Sequence, residues 1–377
     1  MRDRVVVHSI GWIAASVVIA AACSHAAQAQ ERWTLVEEVR IGSIDEGPAM
    51  FSDLRGLGVG ANGDVYVLDY RAQEIRQFNP RGDFVRKFGR SGSGPGEMRN
   101  ANGMLMAPDG RIWVNDPANS RFTVFDASGA YDTTHTVPIQ GYGFVWSAMF
   151  DTAGVLYDQV FLTDEPHRAI RRLRASGAVI DTVSLPTCGR ERRPEEMTFQ
   201  ARTERGGRMM GIPFVPRPIT AWDPRGFMWC TPSDVFEVVQ IRLGPGDTAL
   251  RVTRDVSPPP VTSAEREAAI ARARENFKAY PNARLDFSRI PRVKPVIAAM
   301  HVDEAGRLWV RRTDTDTLRA VFDVFDQSGR HVATAEGRMR FRFGIAPVVR
   351  GDAFYAIVLD EDDVQYVIRA RIRRSSR

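Results

Sequence analysis

One pattern recurs six times along the 377 residues: a glycine turn runs directly into a short apolar strand with an aromatic residue near its middle. Clear copies are Asn62–Val67, Asp109–Val114 and Ala305–Val310. The turn glycines stand at positions 63, 110, 154, 226, 306 and 351. An internal period of this kind restricts the chain to repeat architectures, because each unit needs its neighbours to bury its faces.

The spacing of the repeats predicts the type of array. Successive turn glycines are 47, 44, 72, 80 and 45 residues apart, and about 40–50 residues make one four-stranded β-propeller blade. The composition agrees, since 31 Gly and 22 Pro punctuate short strands and helical periodicity is scarce. The sequence therefore predicts an all-β fold with a single six-bladed β-propeller domain over residues 30–377.

The two chain ends are predicted to share the last blade. The sixth unit, after Gly351, lacks an outer strand, whereas an extra strand, Trp33–Ile41, precedes the first unit. An open ring would expose edge strands. We therefore expect the N-terminal strand to close the sixth blade beside the final strand, Gln365–Arg373.

The two longest intervals contain insertions, at about residues 188–212 and 257–292. The second has Thr262 and Glu265 in the spacing of a capping box, which predicts one short helix between blades 4 and 5. Both insertions follow an outer strand and precede an inner strand. We therefore expect both on one side of the disc, at the channel mouth, where long loops are more often functional than filler.

The stretch Gly56–Gly96 resembles NHL repeats, including a Gly-Ser-Gly-Pro-Gly-Glu linker at residues 92–97. Val324–Gly329 repeats the second turn of such a unit. The resemblance is to six-bladed propellers of the NHL-repeat or TolB-like type, and it is strongest in the first, second and fifth units. It implies a toroid with a central channel and implies no single activity.

The N-terminus predicts export. Residues 1–29 have a basic start, an apolar stretch and Ala27-Gln28-Ala29 as a cleavage site, as in a cleaved secretory signal peptide. A lipid anchor on Cys23 is the alternative, since Ala20-Ala21-Ala22-Cys23 resembles a lipoprotein box. We expect a periplasmic or extracellular protein, with no transmembrane segment in the mature chain.

Cleavage would leave two cysteines, Cys188 and Cys230. An oxidising compartment permits a disulfide between them. The sequence equally allows two separate buried thiols, because it does not show how close their α-carbons lie. Two cysteines without a His-x-Cys pattern predict no zinc site.

The charge pattern argues against a nucleic-acid partner. Lys and Arg number 51 and Asp and Glu 46, for a formal net charge of +5, and the two signs are interleaved along the chain. Such mixing is typical of a solvated surface rather than of a phosphate-binding patch. We expect a monomer whose ligand or protein partner the sequence does not identify.

Motifs of catalysis are missing. The sequence has no Gly-x-Ser-x-Gly elbow and no His-Glu-x-x-His helix, and the loop Gly92–Gly96 lacks the ending of a phosphate-binding loop. We predict no cofactor and no structural metal. Calcium stays an alternative at Asp314 and Asp316 and at the acidic turn 360–363, although the spacing matches no known calcium loop.

Candidate binding residues follow from the alignment of the inner strands on their turn glycines. The strand starts place cations, an amide and an aromatic at the channel mouth, and one histidine stands further along: Arg55, Asn102, Trp146, Arg217, Lys294 and His301. Such a ring suits an anionic or sugar-like ligand; the alternative interpretation is ordinary solvation of a rim. His301 is a candidate ligand-binding residue; the alternative is a hydrogen-bonded core residue.

The leading functional hypothesis is an exported, non-catalytic binding or scaffold propeller that recognises a ligand or partner protein at the channel mouth. The alternative is a metal-dependent hydrolase or lyase, similar to the gluconolactonase-like or hydroxyglycine-lyase-like propellers. The third is a structural cell-surface repeat protein. We prefer the non-catalytic hypothesis because the sequence predicts a rigid ring with decorated loops and contains no catalytic constellation.

Overall fold

The computed structural model describes residues 31–138, 145–161, 168–189, 193–203, 206–280, 283, 285–342 and 344–375. The predicted signal peptide and Cys23 lie outside the described residues. The described chain is nearly all β. Its helices are α1 (Pro194–Met197), α2 (Ser263–Asn276) and two short 3₁₀ turns, Pro117–Asn119 and Phe287–Arg289.

After β1 (Glu31–Ile41), the first part of the chain forms three separate antiparallel sheets of four strands, each in chain order. Sheet 1 contains β2 (Leu54–Val59), β3 (Val65–Asp69), β4 (Glu74–Phe78) and β5 (Phe84–Phe88). A small parallel pair, β6 (Arg90–Ser91) and β7 (Glu97–Met98), leads onward. Sheet 2 contains β8 (Gly103–Met106), β9 (Ile112–Asp116), β10 (Arg121–Phe125) and β11 (Tyr131–Thr136). Sheet 3 contains β12 (Ala148–Phe150), β13 (Leu156–Phe161), β14 (Arg168–Leu173) and β15 (Val179–Ser184).

The second part begins with a hairpin and a fourth separate sheet. The hairpin consists of β16 (Thr198–Thr203) and β17 (Gly206–Gly211). Sheet 4 contains β18 (Ile219–Asp223), β19 (Phe227–Thr231), β20 (Glu237–Arg242) and β21 (Thr248–Thr253). After α2 come β22 (Ile297–Val302), β23 (Leu308–Arg312), β24 (Arg319–Phe325) and β25 (His331–Arg338). The last strands are β26 (Arg340–Phe341), β27 (Val348–Arg350), β28 (Ala353–Leu359) and β29 (Gln365–Ser375).

The remaining strands make one long sheet of nine strands, in which β1 occupies an interior position. β1 pairs antiparallel with β29, the pairing that the sequence predicts. It also pairs parallel with β25 through Glu31–Thr34, which the sequence analysis did not anticipate. The described strands thus form four separate four-stranded sheets and one nine-stranded sheet rather than six separate sheets, because β1 is long enough to pair on both edges.

The sheets are arranged around their first strands. β2 lies beside β8, β8 beside β12, β12 beside β18 and β18 beside β22, while β27 and β28 lie beside β2. The approach is close: a Cβ on Gly103 would lie 2.5 Å from the Cβ of Trp146, so a larger residue would push β8 away from the next sheet. Antiparallel sheets that follow one another with adjacent first strands define the β-propeller class.

The repeated glycines and aromatics have the roles that the periodicity predicts. All six turn glycines have positive φ, from +59° to +87°, a region that side chains disfavour. The aromatic three residues after each glycine is buried between sheets: Tyr66, Trp113, Tyr157, Trp229, Trp309 and Phe354. Each unit therefore uses one glycine to reverse the chain and one aromatic to fill the space beside the next sheet.

The two insertions pack against each other. Thr262 caps α2 and forms the predicted capping box with Glu265. Phe199 and Ile212 from the first insertion share a small core with Ala273, Phe277 and Ile290 from the second. We call this unit, built from α1, the β16–β17 hairpin and α2 up to residue 290, the cap.

Cys188 and Cys230 are joined in a disulfide, with their Cα atoms 5.6 Å apart. Both are buried in the apolar layer between sheets 3 and 4. The bond closes a segment with a sequence separation of 42 residues, and in the chain-entropy model a loop of that length is stabilised by about 4 kcal/mol. It therefore fixes the start of the cap to sheet 4.

Candidate binding face

Strand direction gives the molecule two unlike sides. The turns between first and second strands, with the six repeated glycines, lie on one side, which we call the turn face. The turns between third and fourth strands lie on the same side, because strand direction alternates within each sheet. The turns between second and third strands, and every connection to the next sheet, lie on the opposite side, which we call the mouth face. The cap interrupts two of those connections and so belongs to the mouth face.

On the turn face, arginines are paired within their own turns. Arg307 lies 2.6 Å from Asp303, and Arg330 lies 2.9 Å from Asp326, each four residues away across the turn glycine. Arg111 pairs in the same way with Asp109, at 2.8 Å. These carboxylates also accept backbone N–H groups of the turn, so the charge of these three turns is neutralised locally.

A cleft of about 550 Å³ opens on the turn face between the two halves of the long sheet. Arg307 and Arg374 line it, but Arg307 pairs with Asp303 and Arg374 with Asp352 at 2.6 Å. Their guanidinium groups also lie over the ring of the buried Trp33, at 5.2 and 5.1 Å. The polar groups of this cleft are thus engaged in holding β1 in place.

The mouth face contains a compact charged cluster around Asp53. Arg55 lies 3.0 Å from one carboxylate oxygen, and Arg342 pairs with the other. The Arg55 guanidinium stacks 3.7 Å from the ring centre of Tyr70. All three charged side chains are less than a fifth exposed. Two planar guanidinium groups therefore share one carboxylate at the start of β2, next to an aromatic ring.

Four exposed arginines of the mouth face have no carboxylate within ion-pairing distance among the described residues, unlike the paired arginines of the turn-face hairpins. They are Arg71, Arg99, Arg217 and Arg292. They lie in the β3–β4 turn and in the connections before β8, β18 and β22. No Asp stands four residues before or after any of the four in the sequence.

Large exposed apolar residues are found at both sides, and more of them on the mouth face. Seven lie in connections, turns or strand ends of the mouth face and are from 38 to 72 % exposed: Ile44, Met50, Phe161, Met209, Val235, Val293 and Leu318. The other five begin outer strands next to the turn face: Phe84, Val85, Tyr131, Val179 and Ile180. Contiguous exposed apolar surface is typical of interaction sites.

Asn102 and Trp146 are adjacent, as their sequence positions suggest, but both are used within the fold. Asn102 is 2 % exposed and accepts a hydrogen bond from Asn115 at 2.7 Å. Its carbonyl accepts the backbone N–H of Trp146, and the Trp146 indole donates to Asp158 at 2.8 Å. These contacts join the first strands of sheets 2 and 3.

Lys294 and Arg217 differ in accessibility. Lys294 is 5 % exposed and pairs with Glu265 at 2.5 Å, so it fastens α2 to the start of β22. Burial raises the pKa of Glu265, but the contact with Lys294 and the hydrogen bonds from Thr262 outweigh it and leave that pKa below its usual value. Arg217 is exposed and lies against Gly211 of the hairpin. Of the six predicted site residues, Arg55 and Arg217 are the two whose charged groups remain at the mouth face.

His301 lies in the interior, enclosed by aromatic rings. It is 4 % exposed and stacks on Trp309 with ring centres 5.6 Å apart. Burial, and secondarily the charge of Arg311, lowers the pKa of His301 to about 3, so the ring is neutral. Its Nε2 atom is buried without a hydrogen-bond partner.

The acidic turns considered for calcium serve their own loops. Asp314 accepts from the backbone of Asp316 and from Arg319, and Asp360 accepts the backbone N–H groups of Asp362 and Val364. Over the residues that the structure describes, no three His, Cys, Asp or Glu side chains are grouped in a way that would hold a metal ion.

Three residues of this face were missed by sequence reasoning. Asp53 stands two residues before Arg55 and was detectable as a local partner. Arg342 is 289 residues from Asp53, so no local pattern links them. Arg311 follows Trp309 by two residues on β23 and therefore points to the same side of the sheet as the repeated aromatic.

No family model and no curated protein sequence matches this chain. Among solved structures, a streptogramin B lyase is similar at 12 % identity with a TM-score of 0.47, over 91 % of this chain and 98 % of that chain. A PQQ-bound aldose sugar dehydrogenase from Streptomyces coelicolor is similar at 12 % identity with a TM-score of 0.46, over 92 % and 100 %. A calcium-binding protein, regucalcin, from Agrobacterium tumefaciens is similar at 13 % identity with a TM-score of 0.41, over 90 % and 97 %. At these values the similarities carry no argument for the activity of this chain.

No helix in the described part of the chain combines the length and the apolar composition that a bilayer crossing requires.

Proposed function

We propose that this chain is an exported, non-catalytic binding protein that recognises an acidic and partly apolar segment of a partner protein through its mouth face. The observation that carries the proposal is that seven large exposed apolar residues and four exposed arginines without described carboxylate partners lie together on the mouth face. Arginine is well suited to such a surface because its planar fork binds carboxylates in two-point geometry.

The proposed architecture is a closed six-bladed ring of the NHL type. In this proposal the long sheet supplies two blades, β22–β25 and β26–β29 completed by β1. The antiparallel β1–β29 pairing supports it, as does the position of β27 and β28 beside β2. A backbone hydrogen bond from Glu304 to Val349 links the two halves next to the axis.

The proposed location is outside the cytoplasm. The leader-like residues 1–29 and the buried Cys188–Cys230 disulfide support it, since structural disulfides persist in oxidising compartments. We propose that the mature protein starts at residue 30, directly before β1, and acts as a monomer. Cys23 as a lipid anchor is the alternative mode of export.

The binding experiment compares two quadruple variants of the chain starting at residue 30. The mouth variant changes Arg71, Arg99, Arg217 and Arg292 to Gln. The control variant changes four arginines of the turn face to Gln: Arg81, Arg174, Arg330 and Arg373. Both lose the same positive charge, so a non-specific field effect would weaken them equally.

The probe is a fluorescently labelled peptide that alternates Glu and Leu pairs, measured by anisotropy at low and moderate salt. We expect binding to wild type and to the control variant, with a loss of about tenfold or more in the mouth variant. A Lys–Leu peptide should not bind. Equal weakening of both variants, or no binding of the Glu–Leu peptide to wild type, would contradict the proposal.

A further inference from the structure

Two basic side chains inside the long sheet have buried nitrogen atoms without a hydrogen-bond partner among the described residues. They are the Nε of Arg311 and the Nε2 of His301. Among the described residues, no carboxylate lies within ion-pairing distance of Arg311. Its guanidinium carbon lies 4.6 Å from the ring centre of Phe341. The next residue, Arg312, does have a carboxylate partner, Asp323 at 3.2 Å.

Strand register places the two groups on the same side of the sheet. His301 on β22 is directly opposite Trp309 on β23. Arg311 follows Trp309 by two residues, so its side chain leaves the strand on the same side. Arg311 also depresses the pKa of His301 through its charge, after the larger effect of burial.

The surroundings of these groups are aromatic. His301 lies 5.8 Å from Phe322 and 6.1 Å from Phe354, measured between ring centres. Phe341 packs edge-on against Phe322 at 5.8 Å. We call the set His301, Trp309, Arg311, Phe322, Phe341 and Phe354 the Arg311 site.

The Arg311 site is reachable from the mouth face. β23 ends at Arg312 on that side, and Arg311 is only partly buried as a residue. The Nε atom of Arg311 is buried and has no described hydrogen-bond partner, and neither terminal nitrogen shares that condition. The outer end of the guanidinium group therefore faces solvent, and the inner edge faces the aromatic interior.

A guanidinium without a carboxylate in an apolar setting is costly, because burial favours loss of the charge. Burial indeed lowers the pKa of Arg311 to about 10, which leaves it charged at neutral pH. An oxyanion would satisfy Arg311 and could accept from His301 in the tautomer that carries its proton on Nε2.

We propose that the Arg311 site binds the oxyanion group, carboxylate or phosphate, of a small organic acid whose apolar body packs against Phe341, the partly exposed ring of the site. Arg311 supplies the charged donors, His301 a neutral donor, and Phe341 one wall. The proposal does not depend on recognition of a partner protein at the mouth face, since none of the four exposed arginines contributes to this site.

The experiment titrates the chain starting at residue 30 with benzoate, phenyl phosphate and neutral benzamide, by calorimetry. We expect saturable binding of at least one anion and no comparable binding of benzamide. Preference for benzoate would identify a carboxylate ligand, and preference for phenyl phosphate a phosphate ester. Arg311→Gln should weaken binding of the preferred anion by about tenfold or more.

Arg174→Gln is the matched control, since it removes an exposed arginine of the turn face, outside the site, and it should bind as wild type does. Arg311→Lys keeps the charge without the planar fork and should fall between wild type and Arg311→Gln. Should Arg311→Gln not fold, the Nε–H resonance of Arg311 in the wild type must move with the preferred anion and not with benzamide. Equal affinity of wild type and Arg311→Gln, equal affinity for benzoate and benzamide, or no saturable binding of either anion would overturn the proposal.

Discussion

The turn face and the mouth face are built from the same strands yet treat their charges differently. Asp303 and Arg307 pair across one turn glycine, in four residues of chain. On the opposite side, Asp53 is paired with Arg342 from the other end of the sequence, and exposed arginines such as Arg292 have no described carboxylate partner. Short hairpins neutralise themselves, whereas connections between sheets present charges that only another part of the fold, or a ligand, can neutralise.

The difference also separates residues that stabilise the fold from residues that are available to bind a partner. Buried carboxylates of the turn face accept several donors each, so replacing one leaves buried groups unpaired. Exposed arginines of the mouth face contribute little to folding. The comparison therefore predicts large stability effects for the buried carboxylates of the turn face and small ones for the exposed arginines of the mouth face.

The largest expected effect comes from removing residues 30–43, which deletes β1 and should damage both faces together. β1 buries Trp33, Leu35 and Ile41 and pairs with both β29 and β25. We expect loss of the single cooperative unfolding transition, measured by thermal and urea melts against the chain starting at residue 30. An unchanged melting transition would show that the long sheet does not depend on β1.

Replacing Asp303 by Ala tests the turn face directly. Asp303 is 4 % exposed and accepts from the backbone and side chain of Arg307 and from the indole of Trp309. We expect a loss of about 3 kcal/mol in the free energy of unfolding, because a buried pair is broken. The mouth-face control, Asp314→Ala, removes a partner of the half-exposed Arg319 and should cost less than about 1 kcal/mol. Similar costs for the two variants would remove the contrast between the faces.

The pH dependence of folding stability distinguishes the contribution of His301 from that of the turn-face carboxylates. The pKa of His301 is about 3 when folded and 6.5 when exposed, so the unfolded chain binds the extra proton between these values. Stability from this residue is complete above pH 6.5 and falls as the pH drops towards 3. Hydrogen bonds, first from Ser128, lower the pKa of Asp126 below 3.8, and such turn carboxylates lose their contribution only below that pH.

The measurement for His301 is urea unfolding at pH 7 and pH 4.5. Wild type should lose about 3 kcal/mol more than His301→Phe over this interval. The two proteins share every other titrating group, so the difference isolates His301. Parallel losses in both would mean that His301 is not held neutral in the fold.

The smallest expected effect concerns the repeated tryptophans. Trp309 donates to Asp303 at 2.9 Å, and Trp229 donates to Asp223 at 3.2 Å. The indole nitrogen of Trp113 has no partner, because Ala107 occupies the position of those aspartates. Trp309→Phe should therefore cost about 1 kcal/mol more than Trp113→Phe, measured by chemical unfolding. A larger cost at Trp113 would contradict this account of the aspartate position.

Local sequence patterns anticipated most of the fold. β3, β9 and β23 follow the turn glycines as the repeats predict, and the capping box starts α2 as expected. The candidate site was anticipated less well. Arg55 was identified at the mouth, but Asp53 and Arg342, which complete its cluster, were not. The burial of Lys294 depends on a helix that approaches from a different unit.

The sequence by itself determined where the chain turns, which residue fills each inter-sheet space and that its ends pair, because these depend on residues close together or on a period repeated six times. The tertiary structure alone decided that β1 also joins β25, that the cap forms one core, and that Arg311 has no described carboxylate beside it. Those features depend on contacts between units far apart in the chain, and such contacts are set by how the sheets pack around their first strands, which no local pattern encodes.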